Sequence, residues 1–147
     1  MTEPLAQPRA IHHVRLTVTD IGRSKEFYRS LLGTDPAIDT SDQAGQPGVA
    51  EDQEKFYGGC VFAVGDQLLG LRPVARGGDR FDSTRVGLDH LSLAVGSREE
   101  LTAAAGRLDA AGVAHGEVTD LPDAGMVILS LQDPDDINLE LSAPLPS

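Results

Sequence analysis

The sequence predicts an α+β fold built from two similar halves, and three observations carry that prediction. A strand-like segment occurs twice, as Ile11-His12-His13-Val14-Arg15-Leu16-Thr17-Val18 and as Leu88-Asp89-His90-Leu91-Ser92-Leu93-Ala94-Val95. Each copy is followed by a helix signal. Each half then closes in a pair of strand-like runs joined by turn residues. In the repeated segment, apolar residues alternate with polar ones (Val14/Leu16/Val18 and Leu91/Leu93/Val95), which is the period of a half-buried strand. His13 and His90 therefore project from the opposite, polar faces at equivalent positions.

The helices follow from local signals. Asp20 is placed to cap a first helix whose Phe27, Leu31 and Leu32 recur at helical spacing and which Gly33 ends. In the second half Ser97-Arg98-Glu99-Glu100 reads as a capping box, and Leu101, Ala104, Ala105, Leu108 and Ala111 form one apolar stripe before Gly112. Residues 60–64 and 67–71 read as a hairpin turning at Gly65-Asp66. Residues 126–131 and 137–141 read as its counterpart around Asp133-Pro134-Asp135. Between them, residues 35–59 are rich in Asp, Gly, Gln and Ala and read as a long loop with a weak strand, the kind of segment that often lies over a site.

In the last strand-like run Ile137/Leu139/Leu141 face one way and Asn138/Glu140 the other. Two histidines and a carboxylate on polar strand faces are donors that a divalent first-row metal accepts.

These residues and their order resemble the vicinal oxygen chelate superfamily, which includes glyoxalases, bleomycin resistance proteins and extradiol dioxygenases. The resemblance runs from Ile11 to about Leu141. It implies two βαβββ modules forming an open, cup-shaped barrel, with boundaries at 11–72 and 87–142, a linker at 73–86 and flexible tails at 1–10 and 143–147. The family's closing Asp-Pro-Asp-Gly and ligand Glu are matched with Asp136 in the Gly place and Glu140 in the ligand place. The implied metal ligands are His13, His90 and Glu140, binding Fe2+, Mn2+, Zn2+ or Ni2+. Gly70 stands where four-ligand members carry another ligand, so the resemblance implies a three-ligand site that leaves positions open to a substrate with two adjacent oxygens. Ring-cleaving members also carry an acid/base His and a Tyr, but Ser130 stands near the Tyr place and the spare downstream His is His115.

Further candidates for the chemistry are Arg15, Tyr57 and His115. Arg15 lies two residues after His13 on the same strand face, where it can pair with a substrate carboxylate or phosphate or, equally, with one of the chain's own acids. Tyr57 sits on the long loop. His115 reads as an exposed residue at the start of a strand, available as acid or base. Tyr28 reads as packing, and His12 as pointing away from His13 and without a role.

Composition limits the function. The 147 residues carry 23 acidic and 12 basic side chains, a net charge of −11, and 40% are hydrophobic. That balance disfavours nucleic acid and anionic membrane surfaces as partners. It suits a solvated acidic surface or a cationic ligand. The single Cys60 forms no internal disulfide and residues 1–10 contain no apolar run, so the expected location is cytoplasmic.

The expected function is a metal-dependent enzyme acting on a small substrate with vicinal oxygens, dioxygenase-like first and lyase or isomerase next. The alternative is a binding protein that sequesters a drug or metabolite in the manner of bleomycin resistance. A homodimer is expected, because such modules present sheet edges and apolar helix faces that a partner covers.

Overall fold

The computed structural model describes residues 2–146; residues 1 and 147, at the ends of the two segments read as tails, lie outside the described residues. The chain divides into two compact units between Asp79 and Arg80, within the segment read as a linker. Each unit holds one four-stranded mixed sheet with a single α-helix, in the order expected for a βαβββ module.

In the first unit, β1 (His13–Thr17) leads to α1 (Ile21–Leu32), then β2 (Ile38–Asp39), β3 (Cys60–Val64) and β4 (Gln67–Arg72). The sheet order is β1-β4-β3-β2, with β1 parallel to β4 and the other pairs antiparallel. Along β1 the burial alternates as the sequence requires: Leu16 and, just beyond the strand, Val18 are buried, while His13, Arg15 and Thr17 are exposed. Leu69 and Leu71 of β4 join that core.

The Asp20 carboxylate accepts from Arg23 N at 3.0 Å, and the left-handed Gly33 returns its N–H to Arg29 O. Both ends of α1 are thus capped as read. Its buried line differs from the one expected. Ser24 and Tyr28 are fully buried, with Phe27, Leu31 and Leu32 only partly covered. Tyr28 packs edge-on to Phe27 and tilted against Phe62, so it is a core residue.

The long loop is more ordered than its composition suggests. Three short 3-10 segments, Ser41–Gln43, Val49–Glu51 and Gln53–Gly58, follow β2, and Val49 is buried among them. Thr40 fastens the far end by donating its hydroxyl to the carbonyls of Lys55 and Gly59.

Cys60 opens β3 with 1% of its surface exposed. Burial, followed by the charge of Asp39, pushes its thiol up to about 12. The reactive thiolate is therefore suppressed at neutral pH. An aromatic disulfide reagent is expected to leave Cys60 unmodified in the native protein and to react at once after denaturation. Rapid native labelling would contradict the packing of β3.

The second unit repeats the plan with β5 (Leu91–Ala94), α2 (Arg98–Ala110), β6 (Thr119–Leu121), β7 (Met126–Gln132) and β8 (Asn138–Pro144), in the sheet order β5-β8-β7-β6. Ser97 caps α2 through Glu100 N, while the Glu100 side chain reaches Gly96 N, one residue short of the usual capping-box partner. Leu101, Ala104 and Leu108 form the buried stripe; Ala105 is half-buried and Ala111 exposed.

β8 does not stop where the tail was expected. Ala143, buried, pairs with Val127, and Pro144 pairs with Met126, so the strand runs two residues past 142. Among the described residues no helix is long and apolar enough to cross a membrane.

Candidate functional site

β8 gives the site its foundation. Ile137, Leu139 and Leu141 are buried, which turns Asn138 and Glu140 to the other face of the sheet. The approach to this strand is a tight turn at Asp133-Pro134-Asp135-Asp136. The buried Asp133 carboxylate accepts from the backbone N–H of Asp135 at 2.8 Å and of Ile137 at 2.9 Å. Asp136, in the place where the family pattern has Gly, adopts a left-handed backbone with φ 65°. That conformation favours Gly but is tolerated by Asp. The start of the second unit is fastened to the same turn, since Phe81 N donates to Asp135 O and Arg80 donates to Pro134 O.

His90 stands one residue before β5 rather than within it. Its Nδ1 lies 2.6 Å from Asp89 Oδ1 and its Nε2 lies 3.8 Å from Glu140 Oε2. With Nδ1–H donating to Asp89, the Nε2 lone pair is left facing Glu140, the second-sphere arrangement that orients a metal-binding imidazole. The hydrogen bond to Asp89, reinforced by the charges of Glu140 and Asp89, raises the His90 pKa above the usual 6.5. Two donors on one ion at ~2.1 Å each can be no more than about 4.2 Å apart. The 3.8 Å spacing lies inside that limit. His90 and Glu140 therefore fit a divalent cation as two of its ligands. Among the described residues no group of three or more His, Cys, Asp or Glu side chains is gathered to hold a metal ion.

A cavity of about 650 Å³ in the second unit has His90, Glu140, Asp89, His115 and Ser130 in its wall. His115 is not the exposed strand residue expected. It makes an isolated bridge to Leu131, and only 14% of its side chain is exposed. Its Nδ1 contacts Gly116 O at 2.6 Å and its Nε2 contacts Asp109 Oδ1 at 2.7 Å. Two acceptors are satisfied together only by the doubly protonated ring, so the Gly116 carbonyl and then Asp109 raise the His115 pKa.

In the first unit His13 opens β1 on its exposed face. His12 does not point away from His13 as strand alternation would have it: the two Nδ1 atoms lie 2.9 Å apart and the rings meet edge-on. Strand alternation does not govern His12, which precedes β1. The contact uses Nδ1 and leaves Nε2 as the free donor atom of His13.

Arg15 and Tyr57 are brought together, the guanidinium carbon lying 5.4 Å from the ring centroid. Tyr57 is held in place by an unusual backbone. Phe56, Tyr57 and Gly58 are consecutive left-handed residues with φ of 48°, 58° and 76°. For the two that are not glycine this costs about 1–3 kcal/mol each. Gly59 then passes so close to β4 that a Cβ there would lie 1.8 Å from Leu71 O.

The strand registers place the two units in correspondence. Arg15 pairs with Gly70 as Ser92 pairs with Glu140, so Gly70 does occupy the position equivalent to the Glu140 ligand place. A Cβ on Gly70 would meet the Arg15 side chain at 3.3 Å. The larger residue thus lies over the smaller in one unit, while a small serine neighbours a glutamate in the other.

Several partners were not singled out from the sequence. Asp89 was signalled by its adjacency to His90, and Arg72 by the period-two continuation of β4 past Gly70. Asp109 carried no signal, because it reaches His115 only through the loop after α2.

Comparison with known proteins agrees with this architecture. The family model described as Glyoxalase/Bleomycin resistance protein/Dioxygenase superfamily matches residues 10–141, and the chain belongs to that superfamily. A glyoxylase/bleomycin resistance protein/dioxygenase domain from Frankia sp. EAN1pec is 30% identical with a TM-score of 0.72, covering 94% of this chain and 99% of that one. The fosfomycin resistance protein FosX from Listeria monocytogenes (15% identity, TM-score 0.66, 93% and 94% covered) shares the fold. So does lactoylglutathione lyase from Agrobacterium tumefaciens (17% identity, TM-score 0.63, 94% and 96% covered). Comparison with curated proteins gives no match.

Proposed function

We propose that the chain is a divalent-metal-dependent enzyme of this superfamily acting on a small substrate with vicinal oxygens, with His13, His90 and Glu140 as ligands to Fe2+, Mn2+, Zn2+ or Ni2+. The observation that carries the reading is the pairing of His90 Nε2 with Glu140 while Asp89 holds Nδ1. Such an ion, when bound, supplies Lewis acidity to a carbonyl or enolate oxygen. Around it, Asp89 fixes the imidazole tautomer, and Leu139 and Leu141 hold Glu140 on the cavity face. His115 is the candidate acid; it delivers a proton only by releasing Asp109 or Gly116 O. Dioxygenase-like chemistry is the first reaction class, in keeping with the superfamily's name, with isomerase chemistry or lyase chemistry, the latter named for the lactoylglutathione lyase that shares the fold, beside it.

The second reading is a sequestering protein without turnover. The hydrogen bonds already occupying both nitrogens of His115 favour it, because such a ring is poorly placed to move protons.

Calorimetric titration of chelator-treated protein with Mn2+, Fe2+, Zn2+ and Ni2+ tests the proposal. One ion per chain is expected. Protons compete for His90 Nε2, whose pKa is raised, so affinity should fall as pH drops through and below that value. Absence of binding by all four ions would remove the metal reading. A homodimer is proposed as well, and sedimentation giving only the 15.5 kDa monomer at micromolar concentration would exclude it.

A further inference from the structure

We propose that Arg15, Tyr57 and Arg72 form a binding site in the first unit for an oxyanion, the carboxylate or phosphate-type end of a small ligand. Both arginines lie over one aromatic ring: the Arg72 guanidinium carbon is 3.7 Å from the Tyr57 centroid and that of Arg15 is 5.4 Å away. Each contact alone is an ordinary cation–π pair. Two like charges gathered at one ring repel, and among the described residues neither guanidinium has a carboxylate within ion-pair distance. Four other arginines differ in this respect. Arg29, Arg80, Arg85 and Arg98 each pair with an acid, in a sequence with 23 acidic side chains to choose from. Arg72 Nε is moreover buried without any acceptor. A donor on a charged group left in that state is costly, and an oxyanion closing on the guanidinium offsets the cost.

The surroundings keep the pair open. Register places Arg15, Thr17, Gly70 and Arg72 on one face of the β1–β4 ladder, with Thr17 opposite Arg72. Gly70 has no side chain, so the Arg15 stem lies across it, and a carboxylate at the position equivalent to Glu140 is missing where it would neutralise the guanidinium. The left-handed run at Phe56, Tyr57 and Gly58 and the close passage of Gly59 bring the ring to the end of β4. Backbone strain of this kind collects at ligand clamps. The chain's net charge of −11 repels anions at a distance, but screening confines that repulsion to roughly a Debye length, so contact with two unpaired arginines decides the outcome.

The test uses the arginine Nε–Hε signals of isotope-labelled full-length protein, stripped of metal with chelator that is then dialysed away, so that neither a bound ion nor the chelator's own carboxylates take part. Inorganic phosphate and acetate are titrated separately. Saturable shifts at Arg15 and Arg72, with Arg29 and Arg98 unmoved, are expected for at least one of them. Saturation by phosphate alone assigns a phosphate- or phosphonate-type group, and saturation by both assigns a carboxylate-tolerant site. Arg15→Gln, at an exposed position that leaves the core untouched, should weaken binding about tenfold. Tyr57→Leu should loosen both guanidiniums and lower affinity in the same direction. Uniform shifts of all arginines, or none at Arg15 and Arg72 with either anion, would overturn the proposal. The measurement involves neither His90 nor Glu140, so its failure is separate from failure of the metal reading.

Discussion

Replacing Asp133 with Ala is expected to lower folding stability by about 3 kcal/mol, from two buried N–H groups losing their acceptor at roughly 1–3 kcal/mol each. The groups are those of Asp135 and Ile137, and Asp133 itself is only 4% exposed, so water has little access to take the carboxylate's place. For a chain of this length that amounts to a fall of about 10 °C in melting temperature. Asp133→Asn keeps an amide oxygen to accept the same bonds and should cost about 1 kcal/mol. The consequence reaches the site, because this turn sets the register of β8. A slip of one residue would exchange Glu140 for Leu139 or Leu141 on the cavity face. Thermal unfolding of the two variants beside the parent decides the matter. Equal stability of Asp133→Ala and the parent would mean that the turn is held by something other than these bonds.

The duplicated plan was legible because its signals are local. Alternation over five residues, a capping aspartate and a glycine after the last helical turn each act within a few residues, and β1, α1, β5 and α2 fell where those signals stand. What the sequence concealed depends on distant partners. The buried line of α1 runs through Ser24 and Tyr28 because β4 and Phe62 lie against it, and no count of apolar residues within the helix favours a serine. β2 is two residues long and exists because β3 offers it an edge. β8 continues through Pro144 because Met126 and Val127 remain to be paired, although the composition after Ser142 resembles a tail.

The site was legible in part for the same reason. The correspondence of Gly70 with Glu140 was readable from motif position, and the registers place each opposite the residue two positions after the repeated histidine, Arg15 and Ser92. The aspartate in the family's glycine place adopts the backbone that glycine favours. His115 was misread because its cover comes from Asp109, six residues earlier on a helix whose end sets the loop path. Tyr57 was visible only as an aromatic on a loop. Its meeting with Arg15 and Arg72 follows from a left-handed backbone at Phe56 and Tyr57 that two bulky residues give no reason to expect.

Glu140→Gln separates the enzyme from the binder. Only 13% of the Glu140 side chain is exposed, and its flanking residues Leu139 and Leu141 carry the packing, so the variant should fold with little loss of stability. If Glu140 binds a metal, the neutral amide is a far weaker donor to a divalent cation, and metal affinity and turnover should both fall by at least about a hundredfold. The His90 pKa should move down as well, since one of the charges that raises it has gone, although the Asp89 hydrogen bond will hold part of the shift. A sequestering protein behaves differently. There the change removes one negative charge among 23 acidic side chains, so binding of a cationic ligand should weaken modestly and become less sensitive to salt. Adding chelator to the parent completes the comparison. Turnover lost on chelation and restored by one of Fe2+, Mn2+, Zn2+ or Ni2+, but not restored in Glu140→Gln, establishes the enzyme. Ligand binding indifferent to chelator, with no conversion in the presence of any of these ions, establishes the sequestering protein instead.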